Sequence, residues 1–313
     1  MSSPKVSIIV VNWNNFKDSA HCLESLNQVT YPNYEVIMID NGSEGDDARL
    51  LKEKFGESIT LIVNEKNYGF AKGCNIGMKY ALDRGADYIV LLNNDTVVSP
   101  DFLKEPVRIA QGDEKIGIIG GKIYCYEYPE YIWFAGGCIN YWTGMTPIIG
   151  TCQIESGQFE DIAEVDWICG CFMFITRNLL QTVGMLDVRF FFGWEDADLC
   201  VRATKQNFKV LYVPGSKIWH KGLAPGKKDR LMGQPVYYAT KGHFIFMEKH
   251  FTGLQITSSV LYFFITFPKT AWDYTRLFGK RKVPLYILWG TFGYVWKRIK
   301  NPLKTRNTKN KKE

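Results

Sequence analysis

Through the first 125 residues, short apolar-rich runs alternate with stretches in which apolar residues recur every three or four positions. The runs VSIIVV (6–11), EVIMID (35–40), TLIV (60–63) and YIVLL (88–92) predict β-strands, and the segments 17–27, 46–55 and 70–84 predict helices. Run 88–92 lacks the in-and-out alternation of a sheet with one wet face, so it is expected to be covered on both faces, as in a parallel sheet between helix layers. Alternating elements of this kind predict an α/β fold with a doubly wound sheet. Three strands run into polar residues, namely Asn12, then Asp40 with Asn41, then Asn93, Asn94 and Asp95. In open α/β sheets such carboxyl ends gather at one edge, where ligands bind.

Beyond residue 116 the pattern loosens. IGIIGGKIY (116–124) and VDWICGCFMFIT (165–176) predict further strands of a mixed sheet, set among long loops rich in glycine and aromatics. FFFGWEDADLCVRATKQ (190–206) is an aromatic run that stops at Gly193 and opens a helix, and KVLYVP and KIWHKG (from 209 and 217) predict two short strands. The uncharged runs 251–268 and 283–296 flank KTAWDYTRLFGKRK. Each falls short of the roughly 20 apolar residues of a membrane-spanning helix. Two placements remain open. These segments lie in a membrane interface, with Trp and Tyr at headgroup level and basic residues toward an anionic surface, or they dock as a helical pair on their own domain or a partner subunit.

A chain of 313 residues with 46% hydrophobic content suffices for one large core or for a main domain with a smaller appendage. Its eight cysteines lack the C-x-x-C spacing of a structural zinc site, and the apolar run ending at Val11 is too short for the core of a signal peptide. Reduced thiols in a cytoplasmic protein are the expectation. The net charge of +6 is local, because residues 297–313 carry eight basic residues and one acidic one. Such a tail suits an anionic surface. A positive, flexible end supplies affinity without base readout, so nucleic acid is not an expected partner.

Candidate chemistry gathers at the strand ends. Asp40 either accepts hydrogen bonds from a base or ribose or simply forms a turn with Gly42 and Ser43. NEKNYGFAKGCNIG (64–77) carries Gly69, Gly73 and Gly77 into the start of a predicted helix. Each glycine there costs about 1 kcal/mol relative to alanine, so a close backbone approach is expected, and a helix start offers free N–H groups to a phosphate. Asp95 is either a turn former or the ligand of a divalent cation, which takes oxygen donors and keeps positions for phosphate and water. His220 is either structural or a second ligand to that cation. Glu195, Asp196 and Asp198 sit at a helix start, where the macrodipole favours negative charge. The aromatics Phe190, Phe191, Phe192 and Trp194 before them form ordinary core, or they desolvate the acids and make a better base of one of them.

The ordered set IIVVNWNN, MIDNGS, NYGFAKGCNIG, LLNNDT, GCFMFITR, GWEDADLCVRA and IWHKG, spanning about residues 4–222, resembles the family 2 glycosyltransferases with the GT-A fold, and most closely their rhamnosyltransferase-like branch. The resemblance implies an inverting transferase that moves a sugar from a nucleotide diphosphate to a hydroxyl of a glycan or lipid-linked acceptor. Rhamnose from dTDP-L-rhamnose is the first expectation; the alternatives are another sugar (galactofuranose, glucose or N-acetylhexosamine) or a noncatalytic nucleotide-sugar-binding scaffold of a membrane assembly. It implies a nucleotide-binding edge at Asn12, Asp40, Asn67, Gly69, Gly73, Asn75, Asn93 and Asn94. Asp95 and His220 are then the ligands of Mg2+ or Mn2+, Asp196 is the base, and Glu195 positions the acceptor. Asn93 departs from the family's D-x-D motif, whose first aspartate it replaces. The expected organisation is a GT-A domain over 1–250, with a donor half (1–125) and an acceptor half (126–250), then a helical extension (251–300) and a basic tail (301–313). The expected location is peripheral, at the inner face of the cell membrane, and the oligomeric state is left open, a homo-oligomer included.

Overall fold

A computed structural model describes residues 3–221, 234–276, 285 and 287–291. The chain divides into two compact units. The first comprises Met1–Asn140, Met145–Phe191 and Glu195–Lys227, and the second Tyr141–Gly144, Phe192–Trp194 and Lys228–Glu313.

In chain order the first unit holds β1 (Val6–Asn12), α1 (Phe16–Leu26), β2 (Tyr34–Asp40), α2 (Asp47–Phe55), β3 (Thr60–Val63), α3 (Phe70–Asp83), β4 (Tyr88–Asn93), β5 (Thr96–Val98) and α4 (Lys104–Gly112). It continues with β6 (Ile116–Cys125), β7 (Tyr131–Phe134), β8 (Gln153–Ile154), β9 (Ala163–Glu164), β10 (Phe172–Thr176), α5 (Arg177–Val183), α6 (Glu195–Thr204) and β11 (Lys209–His220). Strands β3, β2, β1 and β4 pair in parallel, and the sheet continues through β10, β6, β11 and β5. Ile8, Ile9, Ile37, Ile39, Val90 and Leu91 are fully buried or nearly so, as expected for strands covered on both faces.

Register decides what meets at the edge. Asn12 pairs with Asp40, and Val11 with Asn93, so the polar ends of β1, β2 and β4 are level. β10 runs antiparallel between β4 and β6, which brings its beginning to that same edge, and the Asn93 N–H donates to the Cys171 carbonyl at 3.1 Å. His220 closes β11 there, opposite Thr96.

KVLYVP and KIWHKG form one strand rather than two. β11 runs through all twelve residues and shifts register between Val213 and Lys217. Pro214 has no N–H to give the ladder, and the bulge is accommodated because Gly121 lacks a side chain: a Cβ there would lie 2.1 Å from the Ser216 carbonyl oxygen.

Lys122 on β6 is wholly buried, yet charged partners surround it. Its ammonium donates to Glu155 Oε2 at 2.9 Å, to the Gln158 carbonyl at 3.1 Å and to Glu160, while the Tyr124 hydroxyl also donates to Glu155 at 2.9 Å. Burial alone would raise the Glu155 carboxyl, but the bonds from Lys122, the Gly157 N–H and Tyr124 together lower it. This cluster ties the exposed segment after β8 to the sheet.

The second unit contains α7 (Gln234–His250) and α8 (Gly253–Arg276). The boundary expected at residue 250 therefore falls inside it. The physical reason is aromatic packing: Trp194 stacks on His243 at 4.4 Å and 6°, Phe246 and Phe251 are buried, and Phe251 meets Tyr141 at 5.0 Å. α8 continues past Pro268 rather than ending there. Among the described residues no helix is long and apolar enough to cross a membrane. Most of the run 283–296, and the tail 301–313, lie outside the described residues.

The buried His243 makes a pH prediction. Its Nε2 lies 2.8 Å from the Gly144 carbonyl, and burial pushes its pKa from 6.5 down to about 4, although that carbonyl opposes the shift. The unfolded chain therefore binds a proton that the folded one refuses between those values. Stability is full above pH 6.5 and is lost as pH falls, by about 2 kcal/mol at pH 5. His243→Phe should flatten this part of the pH dependence in urea unfolding curves. Equal acid losses in variant and wild type would rule it out.

Candidate active site

At the ends of β1 and β2 the turn in which Asp40 bonds to Ser43 is part of a closed polar network. The Asn12 amide nitrogen lies 2.8, 3.1 and 3.0 Å from Asp40 Oδ1, Ser43 Oγ and Asp47 Oδ2, so its two N–H groups serve three acceptors. Asp40, only 1% exposed, also accepts from the Ser43 hydroxyl at 2.6 Å and the Ser43 N–H at 3.2 Å. The buried Ser19 hydroxyl donates to Asn12 Oδ1 at 2.7 Å and accepts from Asn94 Nδ2 at 2.8 Å. Asp40 and Asn94, 54 positions apart, are thus joined through Asn12 and Ser19. Sequence patterning missed Ser19; a serine on the apolar face of α1 was the available signal.

The asparagines and glycines that follow hold the protein to itself. Asn41 Nδ2 donates to Asn67 Oδ1 at 3.1 Å and to the Gly69 carbonyl at 3.2 Å. Gly69 has φ +86°, and a Cβ there would lie 2.7 Å from the Phe191 carbonyl oxygen. A Cβ on Gly73 would press on Val11 at 3.3 Å and one on Gly77 on Ile9 at 2.7 Å, so these glycines let α3 lie close on β1. The close approach inferred from their spacing is real, and its partner at these three positions is the protein's own chain. Asn75 exchanges two hydrogen bonds with the Leu186 backbone, at 2.8 and 3.1 Å, and so fixes the segment ahead of α6.

At the end of β4, Asn93 is half-buried and its carbonyl accepts from the Thr96 hydroxyl at 2.7 Å. Asp95 follows, and its Oδ1 lies 3.0 Å from His220 Nε2. The sheet pairing of β11 with β5 brings these two side chains together across 125 positions, and the Lys221 N–H donates to the Asp95 carbonyl at 2.9 Å. Although His220 is only 8% exposed, neither ring nitrogen makes a directed hydrogen bond among the described residues. Its ring packs on Trp133 at 4.8 Å. One carboxylate oxygen and one imidazole nitrogen 3.0 Å apart fit adjacent positions around an octahedral cation with bonds of about 2.1 Å. Among the described residues no third His, Cys, Asp or Glu joins them, so a cation there would draw its remaining ligands from a diphosphate and water.

The acids of WEDAD divide into separate roles. Asp198, wholly buried, accepts from Arg202 Nε at 2.8 Å, and Arg202 also donates to the Val183 and Met185 carbonyls. This is a structural clamp. Glu195 is buried at the first position of α6. Asp196 is half-buried, with Oδ2 accepting from the Gly170 N–H at 2.9 Å and Oδ1 from the Ala197 N–H at 2.8 Å. Burial raises its carboxyl above its ordinary value, although the backbone hydrogen bonds from Gly170, Ala197 and its own N–H oppose the rise.

Gly170 and Cys171 join the two acidic sites. Gly170 holds Asp196, and the next residue holds Asn93 at the head of the Asp95 turn. Burial pushes the Cys171 thiol up, its neighbour Cys169 adds to this, and so do the carboxylates of both Asp95 and Asp196. A shallow cleft beside Asn33, Asp87 and Arg177 lies at the opposite end of the sheet and contains none of these groups.

A mixed sheet between helices, whose parallel half ends at an edge with an acidic turn, a carboxylate–imidazole pair and a half-buried carboxylate on a following helix, has the GT-A fold. A model described as Glycosyltransferase like family 2 matches residues 4–230, and the chain belongs to this family of glycosyltransferases. It is 24% identical over 268 residues to the dTDP-rhamnosyl transferase RfbF of Shigella flexneri, covering 80% of this chain and 82% of that one. It is also 24% identical over 214 residues to the low-salt glycan biosynthesis hexosyltransferase Agl10 of Haloferax volcanii, covering 66% of this chain and 63% of that one. Among solved structures it resembles the mannosyltransferase PcManGT from Pyrobaculum calidifontis in complex with GDP-Man and Mn2+. The TM-score there is 0.57 at 12% identity, over 95% of this chain and 89% of that one.

Proposed function

We propose that this glycosyltransferase inverts the anomeric centre of a nucleotide-diphosphate sugar, transferring rhamnose from dTDP-L-rhamnose to a hydroxyl of a glycan or lipid-linked acceptor in cell-surface polysaccharide synthesis. The observation that carries this reading is the anchoring of Asp196 and of the Asp95 turn to the adjacent residues Gly170 and Cys171. That arrangement suits in-line displacement, which needs a proton acceptor near the incoming hydroxyl and positive charge near the departing diphosphate. Asp196, raised by burial, accepts the hydroxyl proton, a contribution of about 10² to 10⁴ in rate. Glu195 positions the acceptor. Asp95 and His220 would hold a divalent cation, Mg2+ or Mn2+, whose chemistry is Lewis-acid stabilisation of charge on the diphosphate. Asn93, in place of a second acid, leaves that site with a single carboxylate. The nucleotide is read as lying along the edge built by Asn12, Asp40, Asn67, Gly69, Gly73, Asn75, Asn93 and Asn94, with the buried Asn12, Asp40, Gly69 and Gly73 holding that edge in place through their packing and hydrogen bonds. The similarity to RfbF supports rhamnose. The similarity to a hexosyltransferase supports a second reading, transfer of another hexose. The reaction is read as taking place at the inner face of the cell membrane.

The test is thermal unfolding with a panel of nucleotide sugars, since a donor binding the native state stabilises it by mass action, by about 2.7 kcal/mol at a hundredfold excess over Kd. dTDP-L-rhamnose with Mn2+ should raise Tm most, EDTA should remove most of the rise, and Asp95→Ala should respond alike with or without EDTA. A larger rise with UDP-N-acetylglucosamine would overturn the donor, and indifference of the wild type to EDTA would overturn the cation.

A further inference from the structure

α8 carries an apolar stripe that is exposed among the described residues. Leu254, Leu261, Ile265 and Trp272 are 76%, 58%, 77% and 62% exposed. Their spacings of seven, four and seven residues bring them within about 20° of one line on a helix of 3.6 residues per turn. Phe264 widens the stripe on one flank and Tyr262 on the other. The opposite side of the helix faces inward: Ser259 is buried and its hydroxyl donates to the Tyr141 carbonyl at 3.4 Å, and Phe263 meets Phe244 at 6.5 Å. A soluble protein rarely leaves so long an apolar line in water without a partner.

The charge that follows the stripe in sequence selects among partners. From Gly253 to Pro268 the chain is uncharged, whereas residues 269–313 contain thirteen lysines and arginines against Asp273 and Glu313. Pairing of two copies through this face would join two chains whose sequence beyond Pro268 carries that same excess of positive charge. An anionic phospholipid surface meets both features at once, with acyl-chain depth for the leucine–isoleucine–tryptophan line and headgroup charge for the basic chain. Spanning is excluded for α8, because Thr, Ser and Gln dilute it below what a bilayer core accepts.

We infer that the Leu254–Leu261–Ile265–Trp272 face of α8 is a docking surface for anionic phospholipid, on which the helix lies in the plane of the interface. This rests on the membrane-face reading above and names the residues that make the contact.

The test uses the full chain with two vesicle compositions, phosphatidylcholine alone and phosphatidylcholine with phosphatidylglycerol, scored by co-sedimentation. The wild type should partition onto the anionic vesicles and much less onto the neutral ones. Leu261→Glu with Ile265→Glu should weaken that partition about tenfold or more, since both changes charge the inserted face. The same variant should keep the Tm rise caused by the nucleotide-sugar donor, so that loss of lipid binding and loss of the catalytic reading are separately visible. Undiminished partition of the folded variant would overturn the proposal. So would failure of the wild type to bind anionic vesicles, or a wild-type dimer in light scattering that the variant dissociates.

Discussion

Asp196→Asn should lower turnover by about 10² to 10⁴ while leaving donor binding, measured by calorimetry, close to the wild-type value. The substitution keeps the shape of the side chain, and its carbonyl oxygen still accepts from one of the two backbone N–H groups, of Gly170 and Ala197, that hold the carboxylate. What it removes is a lone pair able to take a proton from a hydroxyl. A pH profile adds an independent reading. Burial raises the Asp196 carboxyl, and the base works only when ionised, so kcat/KM should fall as pH drops through a limb lying above the ordinary aspartate value. Asp196→Asn should remove that limb from the residual activity. Turnover within a few-fold of wild type would remove Asp196 as the base and leave the Asp95 and His220 site untouched.

The second large effect concerns stability, and its interest lies in an asymmetry. Lys122 is 0% exposed, whereas Glu155 and Glu160 are 25% and 52% exposed at their side chains. Removing the lysine leaves two carboxylates that water can reach. Removing both carboxylate charges leaves an ammonium that water cannot reach. Glu155→Gln with Glu160→Gln should therefore cost about 3 to 5 kcal/mol, the range for stranding a buried charge. Lys122→Met, with its similar length, should cost distinctly less, and adding it to the double variant should restore much of the loss. Urea unfolding of the four proteins measures this directly. A double variant no less stable than Lys122→Met would mean that the cluster does not bury a charge in solution.

The legibility of the chain followed the range of the forces involved. β1 to β4 and α1 to α3 were readable within a residue or two, because each buries a face whose periodicity is written locally. The edge at Asn12, Asp40 and Asn93 was readable for the same reason, since a strand ends where its apolar run ends. The boundary at residue 250 was not legible because the partners of α7, Trp194 and the Gly144 carbonyl, come from distant segments that no local pattern connects. The split of KVLYVP from KIWHKG was a fair reading of Pro214, overturned because Gly121 on the neighbouring strand makes room for the bulge.

By itself the sequence determined the alternation of elements, the parallel half of the sheet, the family and the residue types available at the strand ends, because these depend on side-chain period and on chemistry carried by single positions. Only the tertiary structure decided that Asp198 is a clamp for Arg202 and Asp196 the acid held at Gly170, that Gly69, Gly73 and Gly77 serve close packing, and that His220 meets Asp95. Those outcomes depend on which strands become neighbours. Strand pairing is a choice among many partners of similar hydrophobicity, and it is made by the simultaneous burial of the whole core.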